Sequence, residues 1–338
     1  MWKLAIDLGS SITKIYRADT SSGIVLAEPS CVAVAGEDRQ VKAIGKDAKN
    51  LIGKTAEYTS IVYPVYEGEI VDMRLAVKML QEFFSRVGVK PSALKRAQIV
   101  IGVPCGATET TMNAYRTLAE ECRLKKVFFV EQPYLAAFGA NAVLTQFDPV
   151  FCMDIGGGVT NIAVVSGDGI IAGLSMNLGG NNMDANILNK VARVNNLRIG
   201  SLTAEKIKTE IGSLSPVARG TIVAEGSAVD TCRPAASPVQ AGDITDCLRV
   251  YVDKILEYAS AVLKKLPAEV AAAVNRNGVF LSGGTVKIPH LPQYIGAKLE
   301  MRYHVCEEPQ FATVLGGGTL LKDKDLLFTY AKSNQNDE

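Results

Sequence analysis

Two short stretches of the chain place a carboxylate beside small, turn-forming residues in the same arrangement. Asp7, Gly9 and Thr13 stand at offsets of zero, two and six, and Asp154, Gly156 and Thr160 repeat those offsets 147 residues further on. Each Asp ends an apolar strand and each turn leads into another, in KLAIDLGSSITKIYR (3–17) and FCMDIGGGVTNIAVVS (151–166). Glycine has no Cβ, so successive N–H groups in such a turn can close around an anion. An ionised Asp only accepts hydrogen bonds, so beside a phosphate it suits a hydrated Mg²⁺ that bridges to the oxygens. A single DxGGG turn is also a plain tight hairpin; the repeat is what favours phosphate and metal. No helix follows either turn directly, as a Rossmann turn requires, and neither has the GK[ST] of a P-loop. Two hairpins, each opening one half of the chain, imply an internal duplication with a cleft between the halves.

The elements around these hairpins must hold them face to face. A chain of 338 residues suffices for about two domains. Residues 23–64 read as a small β-rich insertion, with strands at 31–35 and 41–44. Helical spacing over 71–87 leads to a buried strand, AQIVIGVP; a helix over 108–122, the strand VFFV and a helix opening behind Pro133 complete an α/β half. After the second hairpin come another strand, a Gly-Gly turn into a helix starting near Met183, and TAEKIKTEIG with Thr203 as a cap-like residue. Residues 213–245, rich in Gly, Pro and Ser, read as a hairpin-bearing insertion. A long amphipathic helix over 247–266 precedes GVFLSGGTVKIPHL, a strand, a turn and a new helix; GGG then precedes an apolar run, and the tail AKSNQNDE is expected to be mobile.

Composition narrows the function classes. Lys plus Arg is 36 and Asp plus Glu 35, a formal charge of +1, so no overall field directs the chain to nucleic acid or acidic lipid. Seven cysteines form no CxxC pair and sit mostly in apolar runs, as buried thiols of a reducing compartment do. The two histidines share no metal-like spacing with them, and no apolar run reaches membrane-spanning length. A soluble cytoplasmic protein is expected.

Two DxG hairpins, a strand followed by Glu131-Gln132-Pro133 and a late LSGGT turn, in that order, resemble the actin-like ATPase superfamily. Over residues 3–328 the chain looks most like its MreB branch of bacterial rod-shape proteins, most of all in 100–140, GGNNMD, TAEKIKTEIG and the helix leading to GVFLSGG. The resemblance implies an α/β, actin-like ATPase fold: two duplicated α/β domains with a nucleotide cleft between them, each carrying a small insertion subdomain. The first domain is then 1–32, 75–147 and 310–338 with its small subdomain at 33–74. The second is 148–182 and 246–309 with its small subdomain at 183–245.

The resemblance also implies roles. ATP and Mg²⁺ bind between the domains, with Asp7, Gly9, Ser10, Ser11, Thr13 and Lys14 on one side of the phosphates and Asp154, Gly156, Gly157, Gly158, Val159 and Thr160 on the other. Asp7 and Asp154 hold the metal through water. Gly283, Gly284, Thr285 and Lys287 pass beneath the adenosine. Lys206 and Glu210 face the ribose and adenine, with Lys208 an alternative; from spacing alone, Lys206 and Glu210 are a helix-supporting i,i+4 pair. Gln132, Thr160 and Asp154 form the catalytic set, Gln132 orienting water because an amide is no base.

Three changes set the chain apart from the usual MreB pattern: Gln132 stands for Glu, Val159-Thr160-Asn161 for Thr-Thr-Glu, and Lys14 matches a phosphate-contacting lysine of actin and plasmid-segregating relatives. The implied partner is the chain itself, in a homopolymeric filament, with a membrane surface or membrane-protein adaptor as a further contact at the inner face of the membrane and no direct nucleic-acid contact. Membrane contact rests on Met1, Trp2 and a loop near Ala93-Leu94. Rival readings on the same scaffold are a plasmid- or organelle-positioning filament, a chaperone-like ATPase, which needs an extension beyond about residue 330, and a small-molecule kinase, which needs an acidic base.

Overall fold

The computed structural model describes residues 1–54, 58–144 and 148–333, the last two as backbone. Two mixed sheets dominate. In the first, Lys3–Leu8, Ile12–Arg17 and Gly23–Pro29 form an antiparallel meander, and Gln98–Val103 and Lys126–Glu131 add parallel strands beside Lys3–Leu8. The second repeats this plan with Val150–Ile155, Thr160–Val165 and Ile170–Met176 as the meander and Val279–Ser282 and Tyr303–Val305 as the parallel additions. The duplication read from the hairpins therefore extends to whole sheets.

Local signals set most helices. Met73–Val87 is capped by Asp72, whose carboxylate accepts from Leu75 N–H at 3.0 Å, and it ends at Gly88 in the left-handed region. It lays Leu75, Met79, Leu80, Phe83 and Phe84 against the first sheet. Several expected boundaries shift. The helix expected near Met183 runs Gly180–Val194, its N-terminus closed by Asn182, whose side chain accepts from Gly179 N–H at 2.8 Å. Thr203 does not cap its helix: Ser201–Ile211 begins behind Gly200, which puts Thr203 inside the first turn. The long helix runs Ala241–Leu263, and the strand Gly23–Pro29 belongs to the first sheet, leaving Val32–Ala35, Gln40–Ile44 and Thr59–Val62 as a separate small sheet. The domain limits at 74/75, 182/183 and 245/246 fall inside three of these helices, each a single hydrogen-bonded unit.

In the tail expected to be mobile, Lys332–Ser333 pairs antiparallel with Phe128 and Phe129; 334–338 lie outside the described residues. Six cysteines are buried and Cys232 is exposed. Leu94, the apolar residue expected to offer membrane contact, is 5% exposed and belongs to the core of the first lobe, so it is no anchor. Trp2 lies under the Arg17 guanidinium, 3.6 Å from its ring centroid. No helix among the described residues is long and apolar enough to cross a membrane.

Two helices join the lobes. Gln132–Gly139 packs on the second sheet and Ala312–Lys322 on the first, and the pair cross in contact. The crossing is backbone on backbone. A Cβ on Gly316 would enter the Leu135 carbonyl, and one on Gly139 the Ala312 carbonyl. Gly316→Ala should therefore cost about 3 kcal/mol or more through overpacking. By contrast Gly242→Ala, in the first turn of its helix with nothing within 4 Å of the new methyl, should be neutral or stabilise by about 0.5–1 kcal/mol. Thermal unfolding of the two variants checks the contrast; equal midpoints would mean the crossing is not close-packed.

Candidate functional site

Both hairpins turn by the same device. A Cβ on Gly9 would lie 2.7 Å from the Ile12 carbonyl oxygen, and one on Gly156 would lie 2.8 Å from that of Val159. Glycine at these two positions lets the turn fold back on the strand it opens. The tips then meet: a Cβ on Gly158 would strike the Ser10 side chain at 2.8 Å, and one on Gly157 would strike Ser11 Oγ. Ser11 Oγ also donates to Asn181 Oδ1 of the second lobe at 2.9 Å, and Ser10 Oγ accepts from Gly68 N–H at 3.1 Å.

Behind the tips lies a cavity of about 610 Å³, lined from both lobes. Of the expected residues it brings together Asp7, Gly9, Ser10, Ser11, Lys14, Gln132, Asp154, Gly156, Gly157, Gly158, Val159, Gly283, Gly284, Thr285 and Lys287. The LSGGT turn is fixed to the second hairpin by Thr285 Oγ1, which donates to the Gly156 carbonyl at 2.7 Å. Gly283 has φ 90°, and a Cβ there would enter the Ile155 backbone, so only glycine fits. Lys287 Nζ donates to Gln310 Oε1 at 2.8 Å on the cavity wall.

Four expected residues lie elsewhere. Thr13 and Thr160 are fully buried off the cavity; Thr13 Oγ1 pairs with Ser30 Oγ at 2.8 Å, and Thr160 Oγ1 donates to the Leu178 carbonyl at 2.7 Å. Strand parity is the reason. Asp7 sits directly opposite Lys14, and Asp154 opposite Asn161, so those four share the cleft face; Thr13 and Thr160 oppose Leu8 and Ile155 on the other face. In this structure Thr160 is thus not placed to orient a water. Lys206 and Glu210 are 61% and 53% exposed and face solvent, 3.9 Å apart. Their helix instead turns Glu205, Lys208 and Thr209 to the cavity, an i, i+3, i+4 set about 100° away around the axis. The identity of that face had no signal in the sequence beyond the helical period.

Lys208, the alternative, is buried with its ammonium on the Gly180 carbonyl at 2.9 Å and Asp184 Oδ2 at 2.7 Å. Glu205 receives Lys49 Nζ at 2.6 Å, an ion pair across the cleft between the helices Lys46–Lys49 and Ser201–Ile211. Asn181 and Ser282 were also missed.

Electrostatically the two carboxylates of the cleft are unequally compensated. Lys14 Nζ lies 2.6 Å from Asp7 Oδ2. Asp154 has no such cation and receives the Ser282 hydroxyl at 2.8 Å. Burial, and then the charge of Asp7, push its carboxyl up to about 6, against the opposing pull of Ser282, Lys14 and Thr313. Among the described residues no cluster of three or more His, Cys, Asp or Glu is placed to ligate a metal. Two facing carboxylates with hydroxyl support instead fit a cation held mainly through water and ligand oxygens.

Residues 1–328 match the family described as MreB/Mbl protein. The chain belongs to the MreB/Mbl family. It is 33% identical over 334 residues to the cell shape-determining protein MreB of Escherichia coli strain K12, covering 96% of this chain and 94% of that one. The crystal structure of MreB 5 of Spiroplasma citri bound to AMPPNP is similar at TM-score 0.89 and 27% identity, with 96% of each chain covered. A MamK double helical filament shares the fold at TM-score 0.77 and 20% identity, over 95% of this chain and 99% of that one. Within this MreB/Mbl chain the sequence departures are neighbours in space: Lys14, Gln132, Val159 and Asn161 all line the cavity.

The raised carboxyl of Asp154 has a consequence for stability. A folded value near 6 against an ordinary 3.8 means stabilisation that is complete below about pH 4 and is lost as pH rises through about 6. The loss in nucleotide-free protein is on the order of 2–3 kcal/mol. Asp154→Asn, neutral throughout, escapes it. Its melting midpoint relative to wild type should rise between pH 5 and pH 7.5; a difference unaffected by pH would remove Asp154 as the strained group.

Proposed function

We propose that this MreB/Mbl-family protein binds Mg²⁺-ATP in the cleft, hydrolyses it slowly and assembles into homopolymeric cytoplasmic filaments that act in cell shape. The carrying observation is the pair of matched hairpins closing on one cavity with Asp7 and Asp154 facing each other. Support comes from the relatives: MreB 5 of Spiroplasma citri has been solved with AMPPNP and with ADP, and the Escherichia coli relative is named for cell shape. MamK, which shares the fold, has been solved as a double helical filament.

In this reading the turn amides of Gly9, Ser10 and Ser11 and those of Gly156, Gly157 and Gly158 face the phosphates from opposite sides. Lys14 adds the cation on the first side. Asp7 and Asp154 would hold the Mg²⁺ through water, and the ion would supply charge neutralisation when bound. The Gly283–Thr285 turn, Lys287, Glu205, Lys208 and Thr209 surround the nucleoside. Gln132 orients the attacking water. A kinase reading is disfavoured because the group in that position is an amide, which takes no proton from a substrate hydroxyl at neutral pH.

Removing one positioned group costs about 10²- to 10³-fold in rate. Gln132→Ala should bind a fluorescent ATP analogue as wild type does and form filaments in negative stain with Mg²⁺-ATP, while phosphate release slows by that factor. Unchanged turnover would remove Gln132 from its role; failure of the wild-type protein to pellet or form filaments with Mg²⁺-ATP would overturn the filament reading.

A further inference from the structure

Gln132 does not stand alone. Its Oε1 accepts from Asn161 Nδ2 at 2.7 Å, and its Nε2 makes a long 3.5 Å bond to Asp7 Oδ1. Asn161 Oδ1 in turn accepts from the Cys105 backbone N–H at 3.0 Å. The ends of this chain are unambiguous: a backbone N–H can only donate, and an ionised carboxylate can only accept. Between them both amides have one consistent polarity. Cys105 N–H claims the oxygen of Asn161, so Asn161 presents its NH₂; Gln132 must answer with its oxygen, which turns its NH₂ toward Asp7.

The wiring also crosses the molecule. Asn161 lies on Thr160–Val165 of the second sheet, whereas Cys105, Gln132 and Asp7 belong to elements of the first lobe or its edge. Asn161 is 2% exposed and is fixed by position, opposite Asp154 across the second hairpin. The Gln132 stem lies against Gly102, whose missing Cβ would otherwise come 3.3 Å from Gln132 Cγ. The adjacent Gly106 N–H is held by Glu131 Oε1 at 2.7 Å, so the loop carrying Cys105 is tied to the Glu131-Gln132 step on its own side.

From this geometry we infer that Asn161 is the positioning residue for Gln132: its NH₂, fixed on the second sheet, sets the amide orientation of the water-orienting glutamine. A carbonyl oxygen has two lone pairs. Asn161 occupies one, which holds Oε1 in place and leaves the other for a water hydrogen. Without Asn161 the amide is free to turn its NH₂ toward the water, which presents a donor to the lone pair needed for attack. The inference rests on the proposed reading of the cleft as an ATP-hydrolysing site.

Asn161→Asp tests it with least disturbance. The carboxylate still accepts from Cys105 N–H but cannot donate to Gln132, so the amide reverses. Steady-state phosphate release by the full chain with Mg²⁺-ATP should show kcat lower by about 10²-fold, the scale of misplaced reacting groups, with binding of a fluorescent ATP analogue unchanged. Asn161→Ala, which adds no charge, should show the same split. Introduced into Gln132→Ala, either substitution should lower kcat no further, because both act through one group. Wild-type kcat in both Asn161 variants, or losses that multiply with that of Gln132→Ala, would overturn the inference and leave the ATPase reading standing. No hydrolysis by the wild-type chain would instead overturn that reading, and the inference with it.

Discussion

Two buried carboxylates, one from each lobe, repel each other across the cleft, and much of the surrounding structure follows from holding them there. Asp7 is compensated by Lys14 on the neighbouring strand, whereas Asp154 has only hydroxyl donors and sits at a raised carboxyl value of about 6. An arrangement of this kind is costly unless other contacts keep the walls together. Those contacts are the tip-to-tip packing of the hairpins, the Ser11–Asn181 bond and the Lys49–Glu205 pair. A cation between the two carboxylates would relieve that repulsion.

The duplication is clearest where the copies differ. Lys14 and Asn161 occupy equivalent positions, each directly opposite the cleft carboxylate of its hairpin. One copy keeps a cation there and neutralises its Asp. The other keeps an amide, leaves its Asp exposed to the field of the first, and reaches across to Gln132. Symmetric halves would have given two equal half-sites; the substitution at one paired position separates a charge-balancing side from a side that aligns the amide.

Much of this was legible in the chain because it depends on local pattern. The repeated offsets of Asp and Gly are enforced by a turn that only glycine allows, so they identified the hairpins, and the duplicated sheets followed. The assignment failed at Thr13 and Thr160, which repeat as faithfully as the glycines but face the wrong way: an offset match carries no information about strand parity until the pairing partner is known. Lys206 and Glu210 failed for the helical counterpart of that reason, since the rotation of a helix is set by what it packs against. Leu94 looked available because a short apolar loop residue is indistinguishable in sequence from a core residue, and burial decided it. The expected domain limits at 74/75, 182/183 and 245/246 fall within helices because helix ends are set by caps and packing that the composition shifts used to place those limits do not report.

The glycine crossing between Gln132–Gly139 and Ala312–Lys322 bears on how this molecule deforms. Interdigitated side chains give a packed seam discrete resting positions, since rotation means unlocking one set of rotamers and finding another. Here main chain rests on main chain at Gly139 and Gly316, and there are few teeth to disengage. The two contacts fix how closely the helices, and with them the two sheets they pack on, can approach. A methyl at either position would act as a spacer in that seam, so two missing side chains set how near the lobes lie to each other.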